Sequence, residues 1–209
     1  MHSKIAYLKE KDFRLARVID EIGVIKIQSI NDPFSFLLSE VVGQLLSAQV
    51  REVIFNRLIL LCDGHVTPDK ILSLDTASLT NCGMSLRKAN CIQDIARAIK
   101  NGTLVFNDLS DMSDEDVAQT LMRIKGIGVW TAKMYLLFFL QREDILPYED
   151  GAFMQSFRWL YGFKNPSKET VIKRCKKWKP YSSLAARYLY RALDNGLTKQ
   201  PIGTFLCNL

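Results

Sequence analysis

The sequence predicts an all-α protein with at most a few short β pieces near its N-terminus. Three observations carry that expectation. Apolar residues recur at helical spacing through most of the chain. Asp-Pro, Thr-Pro and Ser-x-x-Asp start signals stand in front of those runs, and glycine or Asn-Gly steps close them. Of the 209 residues, 48% are hydrophobic, enough for a substantial core.

The elements follow in order. DFRLARVIDEIG, residues 12–23, has helical spacing and stops at Gly23. Asp32-Pro33 reads as an N-cap with a first-turn proline, opening one long amphipathic segment over 34–61. Thr67-Pro68 repeats the signal before DKILSL, and Ser85 starts LRKANCIQDIARAIK, which Asn101-Gly102 ends. Ser113 with Asp116 resembles a capping box for VAQTLMRI. WTAKMYLLFFL, SKETVIKRCKKW and SSLAARYLYRALDNG complete the helices, while IAYL and GVIKIQ are the candidate β pieces. The acidic stretch NDLSDMSDEDV reads as a solvated helix start rather than a metal site.

Composition removes several function classes. No apolar run approaches the roughly 20 residues that cross a bilayer, and MHSKIAYLKEKDF has no leader-like apolar stretch, so an intracellular setting is expected. Cys62, Cys82, Cys91, Cys175 and Cys207 form no C-x-x-C pair and read as small buried apolar residues of a reducing compartment. Their spacing does not suit an iron–sulfur cluster, and His2 and His65 alone do not suit zinc. Residues 121–200 carry a net charge of +9, whereas residues 1–120 carry −3. The second half is therefore either a contact for a polyanion or a well-solvated surface.

RIKGIGVWTAKMYLLFF, residues 123–139, places Gly126 and Gly128 directly before a helix-forming run. A helix over 114–124, a Lys125–Gly128 turn and a helix over 129–140 make a helix–hairpin–helix unit. The free N–H groups that open its second helix would attract an anion such as a DNA phosphate. From the glycines alone, an ordinary αα-hairpin is the better reading.

That hairpin resembles the one in the helix–hairpin–helix (HhH-GPD) DNA glycosylases, and within them the alkylpurine branch with its G-I-G-x-W-T-A pattern. VVGQLLS (41–47), GMSLRKANCI (83–92) and WKPYSSLAARYLYRAL (178–193) are similar to three further family stretches in the same order. The resemblance spans about residues 12–195. It implies a single bilobal helical domain, with residues 35–112 as one lobe and 1–34 plus 113–209 as the other, and an active-site cleft between them.

It also implies site residues. Asp150 matches the catalytic aspartate; read without the family it is a helix N-cap before GAFMQSF, and Glu149 is its neighbouring rival. Trp130, Met134 and Tyr190 match the base pocket, where Met134 departs from the usual tyrosine and Tyr190 from the frequent tryptophan. Leu45 matches the intercalating wedge, with Gln44 beside it. The backbone amides of Gly126, Gly128 and Thr131 match the phosphate donors, and the carbonyls of Met122, Ile124 and Ile127 match a site for a Na+ or K+ ion. Trp130 also stands where bifunctional members carry a lysine nucleophile, which implies hydrolysis by water and no lyase step.

By periodicity alone, Trp130, Tyr190 and Leu45 would be core residues. The implied function is excision of alkylated purines of the 3-methyladenine kind from double-stranded DNA in base excision repair. The protein would act as a monomer with no required cofactor and no membrane contact, in the cytoplasm or nucleoid of a prokaryote or the nucleus of a eukaryote. Two alternatives stay open: a glycosylase for deaminated or oxidised purines, and a non-catalytic structure-specific DNA-binding module.

Overall fold

Short polar side chains set where the helices begin. The computed structural model describes residues 1–203. Its helices are α1 (His2–Lys11), α2 (Phe13–Ile22), α3 (Pro33–Gly43), α4 (Ala48–Leu61), α5 (Pro68–Ser73), α6 (Thr76–Asn81), α7 (Leu86–Lys100), α8 (Asp114–Met122), α9 (Val129–Met134), α10 (Gly151–Tyr161), α11 (Lys168–Cys175) and α12 (Ser182–Asp194). Among the described residues there is no strand, so the fold is all-α as expected. Asp12, Asp32, Ser47, Thr67, Asp75, Ser85, Ser113, Asp150 and Ser167 each cap a helix by accepting the backbone N–H three residues ahead. Each such cap contributes about 1 kcal/mol. Helices α1, α9 and α12 start without a side-chain cap.

The chain divides into two compact units, Met1–Gln28 with the chain from Gln141 onward, and Ser29–Leu140. In the first unit α10 packs on α12, and α2 packs on both α1 and α12. Trp178, Tyr188, Phe153 and Phe157 are fully buried there. Asp12, only 1% exposed, sits beside Trp178. It accepts hydrogen bonds from the Trp178 indole at 2.8 Å and from the Tyr161 hydroxyl, and lies 3.0 Å from Lys177 Nζ. Burial opposes its charge, but the bonds from Tyr161, Trp178 and Lys177 outweigh burial and hold the carboxyl below its usual range.

In the second unit α3 packs on α4, α7 and α9, and α8 packs on α9. After α9 the chain widens into a π-helix over Tyr135–Phe139. Tyr135 is fully buried, and its ring centroid lies 4.9 Å from that of Phe139 and 6.0 Å from those of Phe36 and Phe106.

Four expectations are corrected. The hairpin groups with the 29–140 unit rather than with the C-terminal helices, because α8, α9 and the π-turn pack on one another and α9 and the π-turn also pack on α3. The long segment over 34–61 is two helices, α3 and α4, separated by a turn at Gln44–Ser47. IAYL lies within α1, which packs on α2 and is tied by the Tyr7 hydroxyl to the Lys179 carbonyl at 2.6 Å. GVIKIQ is irregular: its Gly23 closes α2, and the Gly23 carbonyl accepts from the Tyr188 hydroxyl at 3.1 Å.

Cys62, Cys82, Cys91 and Cys175 are free and buried; Cys207 lies outside the described residues. Among the described residues no helix is long and apolar enough to cross a membrane.

Candidate active site

The hairpin is shaped by what lies behind it. Gly126 has φ 101°, a left-handed conformation that favours glycine, and a Cβ placed there would sit 2.9 Å from both Cβ and Sγ of Cys91. Gly126 thus lets α7 approach the turn closely. Cys91 is itself a packing residue, its thiol pushed up to about 12 chiefly by burial. Gly128 opens α9 with extended backbone, and a Cβ there would meet nothing within 4 Å. No side chain caps the start of α9, whose first turn includes Thr131.

The turn after α3 is built against this hairpin. Gly43–Leu46 forms a type II β-turn, with the Leu46 N–H donating to the Gly43 carbonyl at 3.0 Å. Leu45 occupies its third position at φ 59°, where glycine is usual, and is 98% exposed. A branched residue held in that conformation costs about 1–2 kcal/mol. Tertiary bonds hold it there. The Gln44 side-chain amide donates to the Gly126 carbonyl and to Thr131 Oγ1, both at 3.0 Å. The Lys88 ammonium, from α7, donates to the carbonyls of Val42 and Gln44, both at 2.8 Å. Beneath the turn, Arg51 crosses Gly43 and pairs with buried Glu40 at 2.7 Å.

Asp150 is 9% exposed and caps α10, its Oδ1 accepting the Phe153 N–H at 2.8 Å; Glu149 beside it is exposed. The Tyr190 ring on α12 is half-buried, 6.5 Å from that of Phe153. Trp130 is half-buried on α9, and Met134, one turn further along the same face, is buried. Asp150 and Tyr190 belong to the unit formed by both ends of the chain. Gln44, Leu45, Met122, Ile124, Gly126, Ile127, Gly128, Trp130, Thr131 and Met134 belong to the 29–140 unit.

The family of HhH-GPD superfamily base excision DNA repair proteins matches residues 38–180. The chain belongs to that family. It is 30% identical over 188 residues to DNA-3-methyladenine glycosylase 1 of Schizosaccharomyces pombe, covering 88% of this chain and 82% of that protein. Among solved structures it resembles the 3-methyladenine DNA glycosylase of the same yeast in complex with abasic DNA, with TM-score 0.86, 28% identity and coverage of 92% and 97% of the two chains. A DNA-3-methyladenine glycosidase from Bacillus halodurans matches with TM-score 0.80, 30% identity and coverage of 95% and 92%.

Within this HhH-GPD chain, two roles escaped the sequence reading. Lys88 was visible only as part of GMSLRKANCI, yet it ties α7 to the turn carrying Leu45. Gln44 was visible as the neighbour of a wedge, yet its amide joins that turn to the hairpin. The spacing of these partners along the chain leaves no local pattern to read.

Proposed function

We propose that the protein is a monofunctional, monomeric DNA glycosylase that excises alkylated purines of the 3-methyladenine kind by hydrolysis. The observation that carries this reading is the burial of the Asp150 carboxylate at the N-cap of α10, while the adjacent Glu149 is exposed. Breaking the N-glycosidic bond builds positive charge on the deoxyribose. A fixed carboxylate in a water-poor setting stabilises that charge and orients the attacking water. Trp130 offers an indole face to an electron-poor purine turned out of the helix, with Met134 one turn further along the same face of α9. The name of the yeast relative supports the same substrate class.

In this reading the N–H groups of Gly126, Gly128 and Thr131 hold a DNA phosphate at the uncapped start of α9. The carbonyls of Met122, Ile124 and Ile127 are hard neutral donors and fit a monovalent cation; that of Ile124 keeps a second lone pair beyond the one taken by the Ile127 N–H at 3.1 Å. A cation there would add positive charge beside the phosphate.

Leu45 fills the gap left by the extruded base. Its exposure and its conformation mark it as a residue kept at a cost to the fold. Leu45→Gly therefore shifts melting little, because relief of strain offsets added chain entropy to within about 1 kcal/mol. Single-turnover excision should fall at least tenfold, since opening the stack costs a few kcal/mol. Unchanged excision would remove Leu45 from the mechanism.

The reading is tested on a panel of duplexes carrying one 3-methyladenine, hypoxanthine or 8-oxoguanine, with borohydride present. Release of 3-methyladenine first, leaving an intact abasic strand and no trapped adduct, is expected. Preferential release of another base moves the substrate class, and a trapped adduct contradicts hydrolysis by water.

A further inference from the structure

We propose that a cationic groove beside α11 is a second contact for the duplex DNA backbone, on the compact unit that does not carry the hairpin. The proposal rests on the chain's being a DNA-acting member of its family.

Residues 164–179 hold seven Lys or Arg and a single acid, Glu169, a net of +6 that equals the net charge of the entire chain. The fold gathers this charge rather than dispersing it. Phe163, Thr170, Lys173, Arg174, Lys176 and Lys177 line an open groove of about 710 Å³.

Its base is organised in advance. Lys177 is held by buried Asp12 at 3.0 Å, and the Arg174 guanidinium lies over the Tyr161 ring, 4.4 Å from its centroid. Phe163, 37% exposed and stacked on Phe157 with centroids 5.8 Å apart, gives the groove an apolar wall. That wall strengthens charge contacts relative to open water. Lys173 and Lys176 are exposed, and neither pairs with a carboxylate among the described residues.

Four like charges around one groove repel one another, and a polyanion relieves that repulsion. The groove is open and offers cations rather than a shaped polar cavity, which suits contact with repeated phosphates independent of sequence. Such a contact would add affinity for undamaged duplex and keep the enzyme on DNA while it searches.

The test compares wild-type protein with Lys173→Gln/Lys176→Gln, measuring binding to an undamaged duplex by fluorescence anisotropy across a salt series. Both side chains are exposed and outside the Asp12 cluster, and a melting curve checks that the fold is intact. Losing two phosphate contacts should flatten the slope of log K against log salt by about 1.8, from roughly 0.9 per phosphate. Single-turnover excision at saturating enzyme should stay at the wild-type rate. An unchanged slope overturns the proposal. So does an unchanged slope accompanied by lost binding to phosphatidylserine vesicles, which would assign the groove to a membrane surface. If the wild-type protein excises nothing, the glycosylase reading fails on its own, while the slopes still decide this contact.

Discussion

Asp150→Asn is expected to lower single-turnover base excision by about 10²–10³ while leaving DNA binding near the wild-type level. Asparagine caps helices about as well as aspartate, so the bond from the Phe153 N–H to the side chain at position 150 persists and α10 should still start there. What the variant loses is the negative charge, and the rate loss therefore reports the charge rather than the fold. Melting within about 2 °C of wild type, together with a rate loss of that size, is the expected pair of results. Equal excision by the two proteins would detach Asp150 from the chemistry, and Glu149, the exposed neighbour, would be the next carboxylate to test.

Asp12→Ala is expected to be the most damaging single change to stability. It leaves the buried Tyr161 hydroxyl and Trp178 indole N–H without their acceptor, leaves the Lys177 charge unpaired, and removes the cap of α2. A stranded buried donor costs about 1–3 kcal/mol and a lost cap about 1, so a loss of about 3 kcal/mol or more follows. For a protein of this size that lowers Tm by about 6–12 °C. The carboxyl is held below its usual range in the folded state. Its stabilisation is therefore complete above the unfolded value of about 3.9 and fades as pH falls through the lower folded value. Asp12→Asn should lose this acid sensitivity. Urea unfolding of both variants between neutral and acidic pH checks the effect, and parallel pH profiles for wild type and Asp12→Asn would contradict it.

The fold was legible where the signal was local. Asp32-Pro33, Thr67-Pro68, Ser85 and Ser113 were read as helix starts, and each forms that cap. The break between α3 and α4 was missed because Gln44-Leu45-Leu46 contains no proline or glycine, and the bonds from Lys88 and to Gly126 and Thr131 that hold the turn come from distant parts of the chain. Gly43, which opens the turn, and Ser47, the cap of α4, were the local hints. IAYL is an apolar run too short to decide between strand and helix, and packing of α1 on α2 made it a helix. The π-turn at Tyr135–Phe139 has no composition cue, because its aromatic residues suit an α-helix core equally well. At the candidate site, resemblance picked out Asp150 and Leu45, and the structure added physical reasons to single them out: burial beside an exposed glutamate for one, full exposure in a left-handed turn for the other. Trp130 gains no such separate mark from its half-buried position on α9.

The most direct measurement is chromatography of the free bases released when the wild-type protein is incubated with methylated duplex DNA. Free 3-methyladenine, appearing together with an equal amount of uncut abasic sites, is the predicted result. DNA that is bound tightly yet yields no free base at any enzyme concentration would contradict the account.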